Sequence, residues 1–292
     1  MLQSFIKLMR VKQWVKNLFL FIPVFFAGEF FQPEKMSALV IGFFSFSLVS
    51  SAIYILNDYR DIEEDRLHAE KRYRPLASGA VSKPMGLTLM IILMLTGLGL
   101  SLLLPKWFSI ILLIYITLNI AYSMGLKKIS ILDLIIVSFG FILRVTAGGI
   151  IGDVFITHWL IVMIFLLSLF IVIAKRRDDI LEFVDSGKVL RKSIQKYNLQ
   201  FVDSLLTMIS GIIIVAYIMY TISPDVESRF DTQYLYVTSL FVTAGLIRYL
   251  QITLVENNSG SPVKLLYGDR FIQFTIALWL LSFFLILYVF KV

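Results

Sequence analysis

The 292-residue chain has no cysteine. That excludes disulfides, thiolate-bound zinc and iron–sulfur clusters, and it says nothing firm about redox compartment. Histidine is almost missing as well: His68 and His158 are the only two, too few for a histidine-rich metal centre. Charge is sparse, at 16% of residues, where soluble proteins carry roughly 25%. Strict apolar–polar alternation is lacking too, which excludes a transmembrane strand barrel. Neither a soluble domain nor a low-complexity linker interrupts the chain.

What fills the chain is apolar: 58% of residues are hydrophobic and the mean hydropathy is +0.84. A transmembrane helix needs about 20 mostly apolar residues. Residues 36–56, 85–105, 107–123, 129–151, 155–174, 201–222, 234–250 and 271–290 qualify or come close. Residues 17–31 form a shorter run after a basic amphipathic start. The expected fold is therefore all-α and polytopic, with about nine spans. Backbone groups in lipid must bond among themselves, which selects helices.

The first residues have a basic start like a secretory leader, but the basic part is long and Phe26 stands where a cleavage site wants a small residue. Residues 1–16 read instead as an interfacial helix, with Leu2, Phe5, Ile6 and Met9 on its apolar face and Lys7 and Arg10 above. Lys and Arg crowd one set of connections, and the rule that positive loops stay inside makes that side cytoplasmic. The N-terminus is then inside and the C-terminus outside, in the cell (inner) membrane. The connections 57–84 and 175–200 stand apart as long and highly charged, four spans from each other. That spacing suggests a four-helix unit used twice, with both loops over a central cavity open to the cytoplasm. One membrane domain, 1–292, is the simplest reading.

The stretch "NDYRDIEEDRLHAEKRYRPLASG", residues 57–79, carries the chemistry. On a continuous helix Asp58, Asp61 and Asp65 fall within one narrow arc. Three carboxylates on one face repel each other at low dielectric, and a divalent cation relieves that. Oxygen-only ligation with a polyphosphate completing the shell suits Mg²⁺, and Asn57 adds a neutral oxygen. Downstream, Lys71, Arg72 and Arg74 offer phosphate contacts, the guanidiniums bidentate ones. Pro75 ends the helix and Gly79 permits a turn. Elsewhere, Lys12 and Lys16 sit i, i+4 near the headgroups and suit a lipid phosphate. Lys127 follows a span and can reach the same cavity. Trp14 reads as an interfacial anchor, and His158 as structural. Arg144 lies inside an apolar run, so it needs a partner and a function. Asp133 is about 16 Å away along the helix, a poor direct partner, and fits the site's mouth better. Gly148 and Gly149 suit close helix packing.

The stretch 57–79 resembles the first signature, NDxxDxxxD with a basic-Pro-Gly sequel, of the UbiA superfamily of intramembrane transferases. The chain looks most like its decaprenyl-phosphate phosphoribosyltransferase branch. "VKQWVKN" (11–17), "YSMGLKK" (122–128), "LRVTAGG" (143–149), "LFIVIAKRRDD" (169–179), "LRKSIQKY" (190–197), "LIRY" (246–249) and "GDR" (268–270) carry that likeness in order. The resemblance implies nine helices around a cavity and a Mg²⁺ cofactor. It implies transfer of 5-phosphoribose from 5-phosphoribosyl diphosphate to a polyprenyl phosphate, towards lipid-linked pentose for cell-envelope glycan. Where ring-prenylating members carry a second aspartate motif, this chain reads "AKRRDDILE", 174–182. The resemblance places Lys175 and Arg176 where anions arrive, and Asp179 as a metal or ribose contact. The alternatives are aromatic prenyl transfer from a prenyl diphosphate and, from another class, a transporter. The expected partners are the bilayer and the two phosphate-bearing substrates. Nucleic acid is not expected, and a homo-oligomer is left open.

Overall fold

The computed structural model describes residues 2–67, 71–186, 196–257, 265 and 268–289. The described residues are helical throughout, with twelve α-helices and short 3₁₀ segments between them. Seven helices among them are long and apolar enough to cross a bilayer. They are α3 (Pro33–Arg60), α5 (Lys83–Ser101), α6 (Lys106–Met124), α7 (Leu132–Gly152), α8 (His158–Ser186, apolar to Val184), α9 (Leu199–Thr221) and the stretch Tyr234–Leu254, which contains α11 (Ser239–Leu254). The short helices are α1 (Leu2–Met9), α2 (Ile22–Phe26), α4 (Ile62–Leu67), α10 (Pro224–Phe230) and α12 (Arg270–Phe284). The expected run 17–31 becomes a 3₁₀ helix, Val11–Phe21, followed by α2 and turns. The expected last span is a 15-residue helix, α12, continued by one π-helical turn at Leu285–Val289.

The chain divides into two compact units. The first holds residues 1–124 and 143–156, the second 125–142 and 157–292. The core of the first packs α3 against α5 and α6 around Phe46, Val49, Phe108, Leu112, Tyr115 and Ala147. That of the second packs α8, α9 and α11 around Phe170, Ile173, Leu206, Ile209 and Leu246. Exposed apolar residues such as Leu95, Leu113, Val215 and Phe274 suit a lipid-facing surface.

The N-terminal segment departs from the expected interfacial helix 1–16. Helix α1 stops at Met9, and Arg10 adopts a left-handed conformation, φ 52°. From Val11 the chain winds as a 3₁₀ helix. At three residues per turn, Lys12 and Lys16 point about 120° apart instead of sharing a face. Lys12 is exposed and Lys16 half-buried. The segment runs along α3, whose buried serines receive it. Ser51 donates to the Met9 carbonyl (2.7 Å) and accepts from Trp14 Nε1 (2.9 Å). Ser47 accepts from Asn17 Nδ2 (2.8 Å). Trp14, expected as an interfacial anchor, is thus tied to α3 at Ser51.

Gly148 makes this seat possible. A Cβ there would stand 1.9 Å from the Leu20 carbonyl oxygen, a clash with backbone. Gly149 is similarly close to Ile156. Gly148 thus serves the close packing expected from sequence, while Gly149 faces the Ile156 side chain in the loop that follows α7. Gly148→Ala should destabilise the protein by about 1–3 kcal/mol, the usual cost of overpacking. Gly211→Ala, where nothing lies within 4 Å of the new Cβ, should leave it unchanged or slightly better. Thermal melts of detergent-solubilised protein compare the two, and equal melting temperatures would rule out the close seat.

Candidate functional site

Helix α3 ends where the acidic signature begins. Asp58 lies in its last turn, Asp61 is its C-cap, and α4 starts at Ile62. The three aspartates are therefore not on one continuous helix, and the expected single arc is broken at Asp61. Asp58 and Asp65 are brought together instead, both buried, at 2% and 4% exposure. Arg74 Nη1 bridges them, donating to Asp58 Oδ1 (3.0 Å) and Asp65 Oδ2 (2.7 Å). Arg10 donates to the same Asp58 oxygen from the N-terminal segment, and its guanidinium lies over the Tyr54 ring. Asp61 is held by Asn57 Nδ2 (3.0 Å), and Asn57 Oδ1 accepts from Ser123 (3.3 Å).

Two buried carboxylates need positive charge beside them, and here two arginines supply it. Arg74 belongs to the expected basic patch. Its neighbours do something else: Arg72 is exposed and bonds Tyr73, while Lys71 is half-buried on a 3₁₀ turn. Gly79 takes φ 79°, the turn expected of it after Pro75. Arg10 was not foreseen as a site residue, because only the tertiary fold brings it 48 residues along the chain to Asp58.

Among the described residues no group of three acids stands together as a cation site. The donor chemistry nevertheless fits a hard divalent ion: Asn57, Asp58, Asp61 and Asp65 offer oxygen alone. The arginine pairs show that Asp58 and Asp65 already face positive charge in a buried setting.

Deeper along α3, Arg144 finds its partners. Its Nε donates to Asn17 Oδ1 (2.7 Å) and its Nη2 to Tyr115 Oη (3.0 Å). The guanidinium lies over the rings of Phe46 and Tyr115, 5.0 and 4.8 Å from their centroids. Ser50 donates to the same Tyr115 oxygen (3.3 Å). Arg144 is 4% exposed.

In the second unit, helix α8 runs on to Ser186, so residues 175–186 are helix rather than loop. Lys188, Arg191 and Lys192, and most of "LRKSIQKY", lie outside the described residues. Lys175 is exposed. Arg176 is buried and held by Asp133 through Nε and by Asp179 through Nη1, both at 2.8 Å. Asp133, expected at the site's mouth, is thus a fully buried ion-pair partner. Arg177 is buried too, on Asp203 (2.7 Å) and Asn257 (2.9 Å). Lys127 sits half-buried on a 3₁₀ turn, Leu126–Lys128. Tyr197 donates no charge here but accepts from the Ile131 amide, and burial pushes its hydroxyl above the ordinary tyrosine range. The short pieces "LIRY" and "GDR" meet: Arg248 grips Asp269 Oδ2 through Nε (3.1 Å) and Nη2 (2.7 Å). That hydrogen bonding holds Asp269 below the usual carboxylate range, while its other oxygen caps α12 at Ile272.

Seven apolar helices of spanning length mark a multi-pass membrane protein, and a buried acid–arginine cluster stands at the end of one of them. The comparisons narrow the class. The model of the UbiA prenyltransferase family matches residues 18–274. The chain belongs to the UbiA prenyltransferase family, as a membrane transferase. It is 30% identical over 290 residues to a decaprenyl-phosphate phosphoribosyltransferase of Mycolicibacterium smegmatis, covering 96% of this chain and 91% of that protein. A protein of the same name from Corynebacterium glutamicum is 28% identical, covering 97% of this chain and 86% of its own length. Among solved structures, a UbiA homolog from Archaeoglobus fulgidus bound to DMAPP and Mg²⁺ superposes with TM-score 0.72 at 17% identity, over 98% of this chain and 99% of that one. That likeness supports the fold.

Proposed function

We propose that the chain transfers 5-phosphoribose from 5-phosphoribosyl diphosphate to a polyprenyl phosphate, releasing diphosphate. The observation that carries the reading is the near full-length similarity to proteins named for that transfer. The distribution of cations supports it. Two phosphate-bearing substrates need more positive charge than one prenyl diphosphate and a ring, and basic side chains gather in both the 57–84 and the 175–186 segments.

The C1–O bond to diphosphate breaks and a bond from an acceptor phosphate oxygen to C1 forms. That oxygen is already anionic at neutral pH, so no general base is required. A Mg²⁺ ion held by Asn57, Asp58, Asp61 and Asp65 would supply charge neutralisation for the leaving diphosphate. Arg10 and Arg74, released from carboxylates that turn to the ion, are the chain's own donors to diphosphate oxygens. Lys71 and Arg72 extend that basic edge. In the second unit, Lys175 and Lys127 are the exposed and half-exposed cations for substrate phosphates. Arg176 is committed to two acids, so we assign it the positioning of Asp179 rather than a phosphate contact. Catalysis of this kind is positioning and electrostatic stabilisation.

The test is a donor comparison. Purified protein with Mg²⁺ and a polyprenyl phosphate should accept label from 5-phosphoribosyl diphosphate. It should not attach a prenyl chain from a prenyl diphosphate to hydroxybenzoate. The opposite pattern would establish aromatic prenyl transfer and overturn the proposal.

The reading also places segment 57–84 on the cytoplasmic side of the cell (inner) membrane, where a soluble donor is made. With no native cysteine, single introduced ones report without background. Ser78→Cys in intact cells should react only with membrane-permeant thiol reagents, and Ser228→Cys with impermeant ones too. Reversed labelling would put the acids outside and remove the donor.

A further inference from the structure

Two of the signature's carboxylates, Asp58 and Asp65, are oriented by guanidiniums, and the third, Asp61, by an amide. That amide has a second neighbour. Ser123, in the last turn of α6, donates from Oγ to Asn57 Oδ1 (3.3 Å), while Asn57 Nδ2 donates to Asp61 Oδ2 (3.0 Å). A hydroxyl on α6 thus reaches, through one side-chain amide, the carboxylate at which α3 ends.

Helix packing brings the hydroxyl there. Ser123 extends the face of α6 that carries Phe108, Leu112 and Tyr115, all four within an arc of about 80°. The other three belong to the core shared with α3. Tyr115 meets Phe46 ring to ring (4.7 Å between centroids) and accepts from Ser50 (3.3 Å). Ser123, eight residues on along α6, meets Asn57, seven residues past Ser50 along α3. Those steps are rises of about 12 and 10.5 Å, so the two helices run in the same direction and keep register. Where the facing residue of α3 turns from apolar to polar, the stripe on α6 turns to a buried serine.

Charge sets which way the amide faces. Turned over, it would bring its oxygen against the Asp61 carboxylate, acceptor against acceptor. An ionised acid takes the NH₂ group instead. The amide oxygen then faces Ser123, whose hydroxyl can donate. A carbonyl oxygen has two lone pairs, so this bond leaves Asn57 able to act as the neutral ligand named above.

We propose that Ser123 is a positioning residue for the cation site: it holds the Asn57 amide and, through it, the Asp61 carboxylate. Groups that orient the ligands of a metal govern its affinity nearly as much as the ligands do. The inference rests on the Mg²⁺ reading above and gives α6 a part that neither the acidic signature nor its basic sequel supplies.

The experiment is a Mn²⁺ titration of full-length protein in detergent, followed by electron paramagnetic resonance, with and without inorganic diphosphate. Wild type should bind the ion. Ser123→Ala should weaken binding about tenfold, the lower end of the usual effect of such groups, because 3.3 Å is a long hydrogen bond. Ser123→Thr keeps the hydroxyl and should recover most of the affinity. Ser109→Ala removes another hydroxyl of α6, one that bonds Ser101, and should bind as wild type does. In turnover, the defect of Ser123→Ala should appear as a higher Mg²⁺ requirement, with kcat recovered at high Mg²⁺. Folded Ser123→Ala with wild-type Mn²⁺ affinity overturns the proposal, and so does an equal loss in Ser123→Thr. If Ser123→Ala does not fold, Ser123→Cys, close in size and only a weak donor, should show the loss; unchanged affinity there overturns it too. A wild type that binds no Mn²⁺ removes the cation site and the proposal with it. Pentose transfer with cation binding indifferent to Ser123 keeps the reaction and rejects the positioning role. Ser123-dependent cation binding without pentose transfer keeps the role and rejects the substrate.

Discussion

Asp58→Asn is expected to lower transfer at least about a hundredfold while the protein still reaches the membrane. Asparagine keeps the shape and removes the charge that Arg10 and Arg74 share. Metal-assisted charge stabilisation is worth several kcal/mol, and Asp58 is the acid on which the cluster converges. Asp65→Asn should follow, since Arg74 binds it at 2.7 Å. Asp61→Asn should also lose activity, through the cation site, where Asn57 holds the carboxylate. Turnover is measured in membranes against protein level. Near-normal rates in both Asp58→Asn and Asp65→Asn would reduce the cluster to a structural helix end. Activity should also vanish with a chelator and return with Mg²⁺, and chelator-resistant transfer would exclude the cation.

Asp133→Ala should be the most damaging substitution for folding. It strips the Nε partner from Arg176 in a pair whose side chains are 0% and 4% exposed. Breaking a buried pair on one side costs about 3–5 kcal/mol, because the remaining charge stays in a poor solvent. That is a large part of the roughly 5–15 kcal/mol that holds a protein together. Fluorescence-detected size exclusion should show little monodisperse protein, and what remains should melt early. Asp133→Asn with Arg176→Gln removes both charges and should recover much of the folded material. Transfer should stay low in that double variant, since Asp179 loses the group that places it. A normal melt for Asp133→Ala would show that the pair is not a structural hinge pin of the second unit.

These two sites differ in how far the sequence foretold them. The acids of the signature were legible because carboxylates at a membrane face are rare and their spacing is distinctive. Gly148 was legible for the same reason: a glycine pair within an apolar run needs a close neighbour. The arginine on Asp58 was not, because Arg10 reaches it across 48 residues through a left-handed turn. The Asp133–Arg176 pair spans 43 residues and two helices, and helical periodicity says nothing about which helices meet. At 3.6 residues per turn Lys12 and Lys16 share a face, and the 3₁₀ winding rotates them apart. The acidic spacing reads as one continuous helix through Asp61, and the helix ends there. The serines of "SFSLVSS", residues 45–51, lie within an expected span. Their frequency in an apolar run was the available signal that α3 is packed against polar groups rather than lipid.

The seat of the N-terminal segment fixes an order of assembly. Asn17 and Leu20 leave the ribosome early, but Arg144, which bonds Asn17, comes 127 residues later, and Gly148, which admits Leu20, follows it. Until α7 has been inserted, the segment 11–21 lacks the partners that Arg144 and Gly148 supply. An earlier piece is therefore completed by a later one. Closing so long a loop is slow compared with forming neighbouring helix pairs. A nascent chain halted before residue 143 would hold its opening segment loosely, with Lys16 and Asn17 unanchored and open to protease. The segment before α3 acts as a check on α7: resistance to cleavage near Arg10 would report that translation and insertion have passed α7.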